Sequence, residues 1–415
     1  MVKVVNVSRL LFSLVVASTL LLSGCSTVSD LFYDEDEMEI RRLEPIEAQF
    51  IPTQLWSKNL GDGIGHYYSK LRPAVAYGKV FAADRQGTVA AFEQTSGKQI
   101  WKKNFATFED EGLTSSVTNL WSSGVAAKIA GGITVAYDTL FMGTENGEVI
   151  ALDANTGDKK WIVKVKGEVL AAPAVDSGIV LVSTGSGMVL ALDAGTGEQL
   201  WAYESDVPPL SLRGVSSPAA VNGGAIIGTA SGKLVVNIIE SGQTAWEQVI
   251  SSASGVTELE RIVDIDSQPL VFGGNIYVIT YDGSLAAVEL RTGRVIWKRE
   301  YKSYRRLSMA GSTLYLVDVN SNLFALDSRN GVELWSQGAL KRRLLTAVSP
   351  VGDYLVAGDR FGFLHWFDQA DGKIVARLEV GDNDEDEGIY GTPVIDGSVL
   401  YTQTKDGQLV AIQTP

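Results

Sequence analysis

The stretch Gly187-Met-Val-Leu-Ala-Leu-Asp193-Ala-Gly-Thr196-Gly197-Glu-Gln-Leu-Trp201 decides how this chain folds. It contains a glycine, a short apolar run ending in an acid, a Thr-Gly turn, and a tryptophan 14 residues after the first glycine. The same frame runs from Gly87 to Trp101, Gly147 to Trp161, Gly232 to Trp246 and Gly283 to Trp297. A sixth copy starts with Ser321 in place of glycine and ends at Trp335, and a seventh starts at Gly362 but carries Ala376 where the tryptophan belongs. The last copy supplies Gly407-Gln-Leu-Val-Ala-Ile412 just before Pro415, while Trp56, in Thr53-Gln-Leu-Trp56, stands alone near the other end.

Units of roughly 40 residues built from short strands are the signature of β-propeller blades. The distance from first glycine to tryptophan position is constant, whereas the distance from there to the next glycine varies from 24 to 46 residues. The constant part reads as the third strand, a tight turn and the fourth strand. The elastic part holds the crossing to the next blade and the first two strands, as in Pro173-Ala-Val175 with Ile179-Val-Leu-Val182 and Pro393-Val-Ile395 with Val399-Leu-Tyr401. Such runs of Val, Ile, Leu and Tyr cut by Gly, Asp or Asn read as an antiparallel meander. Proline at a strand start is tolerated because it donates nothing to the ladder. The fold predicted is all-β, an eight-bladed propeller of four-stranded antiparallel blades over residues 51–415. Its ring closes when the strand of Trp56 joins the sheet that ends at Ile412, which removes exposed strand edges.

Asp and Thr in the turn can bond its backbone, and glycine supplies the positive φ. The indoles of Trp56, Trp101, Trp161, Trp201, Trp246, Trp297 and Trp335 read as structural docking groups that cover the seams between blades, each N–H finding a carbonyl. Trp366, one strand before Ala376, can offset the tryptophan missing there.

The frame A-[LF]-[DE]-x-x-[TS]-G-x-x-x-W, as in Ala151-Leu-Asp153-Ala-Asn-Thr156-Gly157-Asp-Lys-Lys-Trp161, resembles the tryptophan-docking repeat of pyrroloquinoline quinone dehydrogenase propellers. No tryptophan is followed by aspartate, so the Trp-Asp dipeptide of WD40 blades is absent. The N-terminus carries a second signal. Lys3 and Arg9 precede an apolar stretch from Leu10 to Leu22, too short to span a bilayer, and Leu22-Ser23-Gly24-Cys25 follows. That tetrapeptide resembles a bacterial lipobox. Residues 1–24 then read as a lipoprotein signal peptide, Cys25 as the lipidated residue, and 25–50 as an acidic tether. Cys25 is the sole cysteine, so it has no disulfide partner within the chain. Ser26 after it resembles the sorting pattern of lipoproteins sent to the outer membrane, which places the protein, lipid-anchored, on the periplasmic face of that membrane. Without Lys3 and Arg9 the side chains number 33 basic against 49 acidic, a balance of −16 that argues against a nucleic-acid partner.

Catalysis has little material. Quinoprotein dehydrogenases typically place a disulfide of neighbouring cysteines over the cofactor, which one cysteine cannot form. Two histidines, His66 and His365, leave little for His-based triads or zinc clusters. The acidic run Asp382-Asn-Asp384-Glu-Asp386-Glu387 has Glu387 where an EF-hand needs glycine and Pro393 where it needs glutamate, so it reads as a solvated loop. No catalytic residue, metal or cofactor is called for.

The crossings carry the functional expectation, because they share one face with the loops between strands two and three. Val207-Pro-Pro-Leu210-Ser-Leu212-Arg213-Gly214 sets two leucines and an arginine behind a stiff Pro-Pro pair. Glu258-Leu-Glu260-Arg261-Ile-Val-Asp264-Ile-Asp266 occupies the corresponding place one blade later. Two readings fit. The leucines and charges form a docking site, or the leucines tuck into a seam and Arg213 pairs with an acid of the same chain; both hold together if Asp264 or Asp266 orients Arg213. Arg305-Arg306 and Lys341-Arg342-Arg343 form either a basic patch on the loop face or a solvated or internally paired one.

Lipobox, acidic tether and eight docking repeats together resemble the BamB family of lipoproteins of the outer-membrane β-barrel assembly machinery. The resemblance implies a non-catalytic scaffold that helps fold or deliver outer-membrane proteins, within reach of unfolded clients. It also implies that Leu210, Leu212, Arg213, Asp264 and Asp266 contact the periplasmic POTRA domains of BamA. A quinone-binding enzyme related to the dehydrogenases, and a periplasmic propeller lipoprotein that binds peptides or cell-wall material, are the alternatives.

Overall fold

Apolar runs of five or six residues cut by glycine turns can satisfy their backbone groups only by pairing with one another, and here they pair as eight four-stranded antiparallel sheets. The protein is described by a computed structural model, which covers residues 39–415 apart from 68, 70, 107–124, 214 and 382–383. Residues 1–38, which hold the expected leader, Cys25 and most of the expected tether, lie outside the described residues. Residues 43–415 form one unit, an eight-bladed β-propeller. The third blade shows the plan: Ala174–Asp176, Ile179–Ser183, Met188–Asp193 and Gln199–Glu204 pair in chain order. The second strand is buried along its whole length because other blades cover both of its faces, whereas the fourth alternates between exposed and half-buried. First strands of successive blades touch around the axis, and Ala74–Ala76 of the first blade meets Val394–Asp396 of the eighth. Among the described residues the only helical pieces are two three-residue 3₁₀ turns, Leu259–Arg261 and Glu385–Glu387.

The eighth blade closes the ring as the sequence predicts. Val394–Asp396, Val399–Gln403 and Gln408–Gln413 come from the C-terminal end, and Thr53–Asn59 adds the fourth strand, with Trp56 opposite Ala411.

Seven of the eight seams are each pinned by one indole. Trp56, Trp101, Trp161, Trp201, Trp246, Trp297 and Trp335 each donate Nε1–H to a backbone carbonyl of the following blade, at 2.7–3.1 Å. The ring lies flat on the turn glycine of that blade. Trp161 sits on Gly197, whose φ is 77°, and a Cβ there would fall 2.8 Å from an indole carbon. Glycine is needed twice over, for the left-handed backbone and for the close approach. Asp193 holds the turn: its Oδ1 accepts from the backbone N–H of Gly195 and Thr196 at 3.0 and 2.8 Å. Within its own blade six of the seven indoles stand opposite alanine, as in Trp161–Ala151 and Trp297–Ala287, and Trp246 stands opposite Val236; a bulge beside the pair aims the ring across the seam.

The seventh blade inverts that pair, with Trp366 opposite Ala376. The reason lies in the neighbour. The outer two strands of the eighth blade come from opposite ends of the chain, so no Thr-Gly turn joins them and no turn glycine waits to receive an indole. Phe50 fills the place from the N-terminal side. Its ring lies 4.9 Å from Tyr354 and edge-on to Trp366 at 6.2 Å, while Gln49 N–H bonds the carbonyl of Val375 at 2.8 Å. Trp366 and Ala376 are fully buried.

Two substitutions separate the roles. Trp161→Ala is expected to cost about 3–5 kcal/mol in urea denaturation, as for loss of a buried aromatic ring. Ala376→Trp, which restores the repeat, is expected to destabilise by about 1–3 kcal/mol through overpacking. A gain in stability on Ala376→Trp is the outcome that contradicts this account of the seam.

Candidate functional site

In an antiparallel blade the loop between strands two and three emerges on the same face as the crossing to the next blade, opposite the Thr-Gly turns. On that face four charged side chains from different blades meet. Arg85 leaves the loop after Lys79–Ala83 and Glu145 the loop after Thr139–Thr144, in the first and second blades. Glu168 lies on the crossing into the third blade and Arg213 on the crossing into the fourth. Arg85 grips Glu145 with two bonds, Nε to Oε1 at 3.1 Å and Nη2 to Oε2 at 2.9 Å, and its guanidinium stacks 3.6 Å from the centroid of the Tyr67 ring. Arg213 Nη2 donates to Glu145 Oε2 and to Glu168 Oε1, both at 3.1 Å.

The network is graded from inside to outside. The Arg85 and Glu145 side chains are 8% and 7% exposed, whereas that of Arg213 is 54% exposed. Burial pushes the Glu145 carboxyl up, but the hydrogen bonds and charges of Arg85 and Arg213 outweigh it and hold the group below the ordinary range. The bond to Glu168 leads in raising Arg213 above its usual value. Arg213 is thus fixed at its root and open at its flank.

The loop that carries Arg213 has a second anchor. Leu212 N–H donates to Asp264 Oδ2 at 2.6 Å. Asp264 is almost wholly covered, and its other oxygen has no hydrogen-bond partner among the described residues. Burial, with the charge of Asp266 adding to it, raises the Asp264 carboxyl to about 6 against the pull of the Leu212 N–H. Leu212 and Arg213, with Glu168, Val207 and Asp264, line a cleft of about 220 Å³ between the third and fourth blades. Leu210 is 40% exposed at the tip of the loop, and Leu212 is half-buried. Asp266 points the other way, into the wall of the ring's axial pocket. Gly214 lies outside the described residues.

One expectation is corrected. Neither Asp264 nor Asp266 orients Arg213; Glu145 and Glu168 do, and Asp264 holds the backbone one residue earlier. Arg85, Glu145 and Glu168 are the residues that sequence reasoning missed. They lie 128, 68 and 45 positions from Arg213; Arg85 and Glu145 share one place in the repeat, two residues before its first glycine, but the residue type there changes from blade to blade, and Glu168 lies outside the frame.

Other candidates resolve differently. His365 is fully buried, its Nε2 3.0 Å from Asp359 Oδ2, which also accepts from Arg343 Nε at 2.7 Å. This Asp–His–Arg cluster has no surface through which a substrate could reach it. The described part of the acidic run is internally paired, Glu385 with Arg360 and Asp386 with Lys405, each at 2.7 Å. Asp382 and Asn383 lie outside the described residues. The two basic clusters do not form one patch: Arg343 is buried against Asp359, while Arg305 and Arg306 line the axial pocket. Among the described residues no group of three or more His, Cys, Asp or Glu could hold a metal ion.

Comparison with known proteins gives the relationship. The family model described as "Outer membrane protein assembly factor BamB" matches residues 52–119, 114–337 and 320–414. Proteins of that name from Alteromonas naphthalenivorans, Shewanella oneidensis and Escherichia coli K12 are 57%, 42% and 39% identical, over 96%, 96% and 95% of this chain and 95%, 97% and 96% of theirs. The crystal structure of BamB from Moraxella catarrhalis superposes with a TM-score of 0.75 at 26% identity, over 87% of this chain and 99% of that one. The quinohemoprotein alcohol dehydrogenase of Comamonas testosteroni shares the fold, with a TM-score of 0.63 at 14% identity over 87% of this chain and 76% of that one. The chain belongs to the BamB family of outer membrane protein assembly factors.

Proposed function

We propose that the protein is a non-catalytic scaffold lipoprotein of the outer-membrane β-barrel assembly machinery. In this proposal the leader 1–24 is cleaved, Cys25 carries the lipid that holds the protein at the periplasmic face of the outer membrane, and residues 25–50 tether the propeller. The loop face binds the POTRA domains of BamA and so assists insertion of outer-membrane proteins, whose unfolded chains come within reach.

The observation that carries the reading is the loop from Leu210 to Arg213. It is held by two independent anchors, yet it leaves Leu210 and the flank of Arg213 open. A pre-ordered loop loses little conformational entropy on association, and an apolar side chain beside a half-exposed arginine is a combination on which binding energy concentrates. Leu210, Leu212 and Arg213 are the proposed contacts. Asp264 is a positioning residue that fixes the loop, and Asp266 supports the same segment from the axial side. No step of chemistry is assigned to the propeller.

Two experiments test this. The first is calorimetry of the chain from Ser26 onward against isolated BamA POTRA domains, with Arg213→Ala beside the wild type. Arg213→Ala should weaken binding at least tenfold and cost under about 1 kcal/mol of stability, since Glu145 keeps its two bonds to Arg85 and half-exposed ion pairs contribute little. Unchanged binding by the folded variant rejects the loop as the docking site.

The second concerns Asp264. Its folded value lies above its unfolded one, so its contribution to stability is full below about pH 4 and is lost as pH rises through about 6. Asp264→Asn removes that titration while keeping an oxygen for Leu212 N–H. Its stability relative to wild type should therefore rise by on the order of 2 kcal/mol between pH 4 and 7 in denaturant titrations. A pH-independent difference contradicts the assignment.

A further inference from the structure

The starts of the first strands of all eight blades converge on the ring axis around a pocket of about 280 Å³, far more than a water molecule needs. Its wall is cationic in a chain whose net charge is −14. Arg72, from the first blade, and Arg306, from the sixth, both line it. Arg306 Nη2 donates to Gln268 Oε1 at 2.9 Å, a neutral acceptor. Among the described residues neither arginine forms a salt bridge, and no hydrogen bond or ring contact holds the Arg72 guanidinium. Each keeps part of its surface open to the pocket while protein encloses the rest. Asp266 lines the same wall, and Tyr304 and Tyr390 give it aromatic faces.

Two arginines on the wall of one pocket, each largely enclosed by protein and neither in a salt bridge among the described residues, are an expensive arrangement for a fold to keep. Burial, followed by the charge of Arg306, pulls Arg72 down to about 9, and burial alone lowers Arg306. Guanidinium groups whose donor forks face a shared space match the oxygens of a phosphate or carboxylate. The acidic surface repels anions in general, so an anion that reaches the axis is held there by these groups rather than by a diffuse field.

We infer that the axial pocket is a binding site for a small oxyanion-bearing ligand, a phosphate or a compact dicarboxylate, held between Arg72 and Arg306. The ligand completes the pair that the fold leaves open. This site is separate from the docking loop and stands whether or not that loop binds BamA.

Calorimetry on the full chain at constant ionic strength tests it, with inorganic phosphate in one arm and succinate in the other against a chloride background. At least one should give saturable, one-to-one binding, and the arm that does identifies the head group. Arg72→Gln should weaken it about tenfold or more, as expected for a charged hydrogen-bonding partner. Arg261→Gln, at an exposed ion pair on the rim, should leave it unchanged. Urea midpoints supply a second readout: in anion-free buffer Arg72→Gln should raise the midpoint, because it removes a buried repulsion, whereas a purely structural arginine gives a fall. If Arg306→Gln fails to fold through loss of its bond to Gln268, Arg72→Gln carries the test alone. Absence of saturable binding in both arms, or equal binding by wild type and Arg72→Gln, overturns the inference.

Discussion

Everything in the ring depends on an indole lying on a glycine of the next blade. A four-stranded blade has no core of its own; it becomes stable only when both faces are covered, and the seam is where that happens. The Trp–Gly contact does three things at once. It buries the largest side chain available, it satisfies the indole N–H with a carbonyl that would otherwise face the seam, and it fixes how far one blade is rotated against the next. Because the contact is made by the turn between strands three and four, the register of the outer strands and the packing between blades are set by the same few residues.

That coupling explains why so much of the fold was legible. Asp153, Gly157 and Trp161 are close in sequence, and Ala151 opposite the ring belongs to the same short frame, so one repeat reports turn, bulge and seam together. Closure by Trp56 was legible because an incomplete copy at one end matched an orphan tryptophan at the other. The exception at Ala376 was visible as a gap, but its cause was not. The cause is that a ring closed by two chain ends has one junction without a turn, and Phe50, outside every repeat, occupies the space.

The candidate sites were less legible for a physical reason. A propeller brings together loops that lie far apart in the chain, and the loops are where the repeat stops constraining sequence. The Leu210–Arg213 segment can be picked out by composition, but its partners Glu145 and Glu168 lie on a turn and on a crossing elsewhere in the ring, in stretches of ordinary composition. In the sequence Arg306 is only half of a basic doublet. That it shares a pocket with Arg72, across the ring closure, follows from three-dimensional convergence at the axis and from nothing in their spacing.

Asp264 and Asp266 show how the rim and the axis are made into one piece. Two residues apart on an extended segment, they face opposite sides: Asp264 reaches out to the backbone of the docking loop, while Asp266 lines the pocket where the eight inner strands meet. Ile265 between them is buried against the fourth blade, where Gly228 leaves room for it. The segment therefore cannot shift toward the rim without disturbing the axis. A scaffold needs this rigidity, since a loop that must hold its shape against a partner gains more from being braced on the ring than from additional contacts of its own.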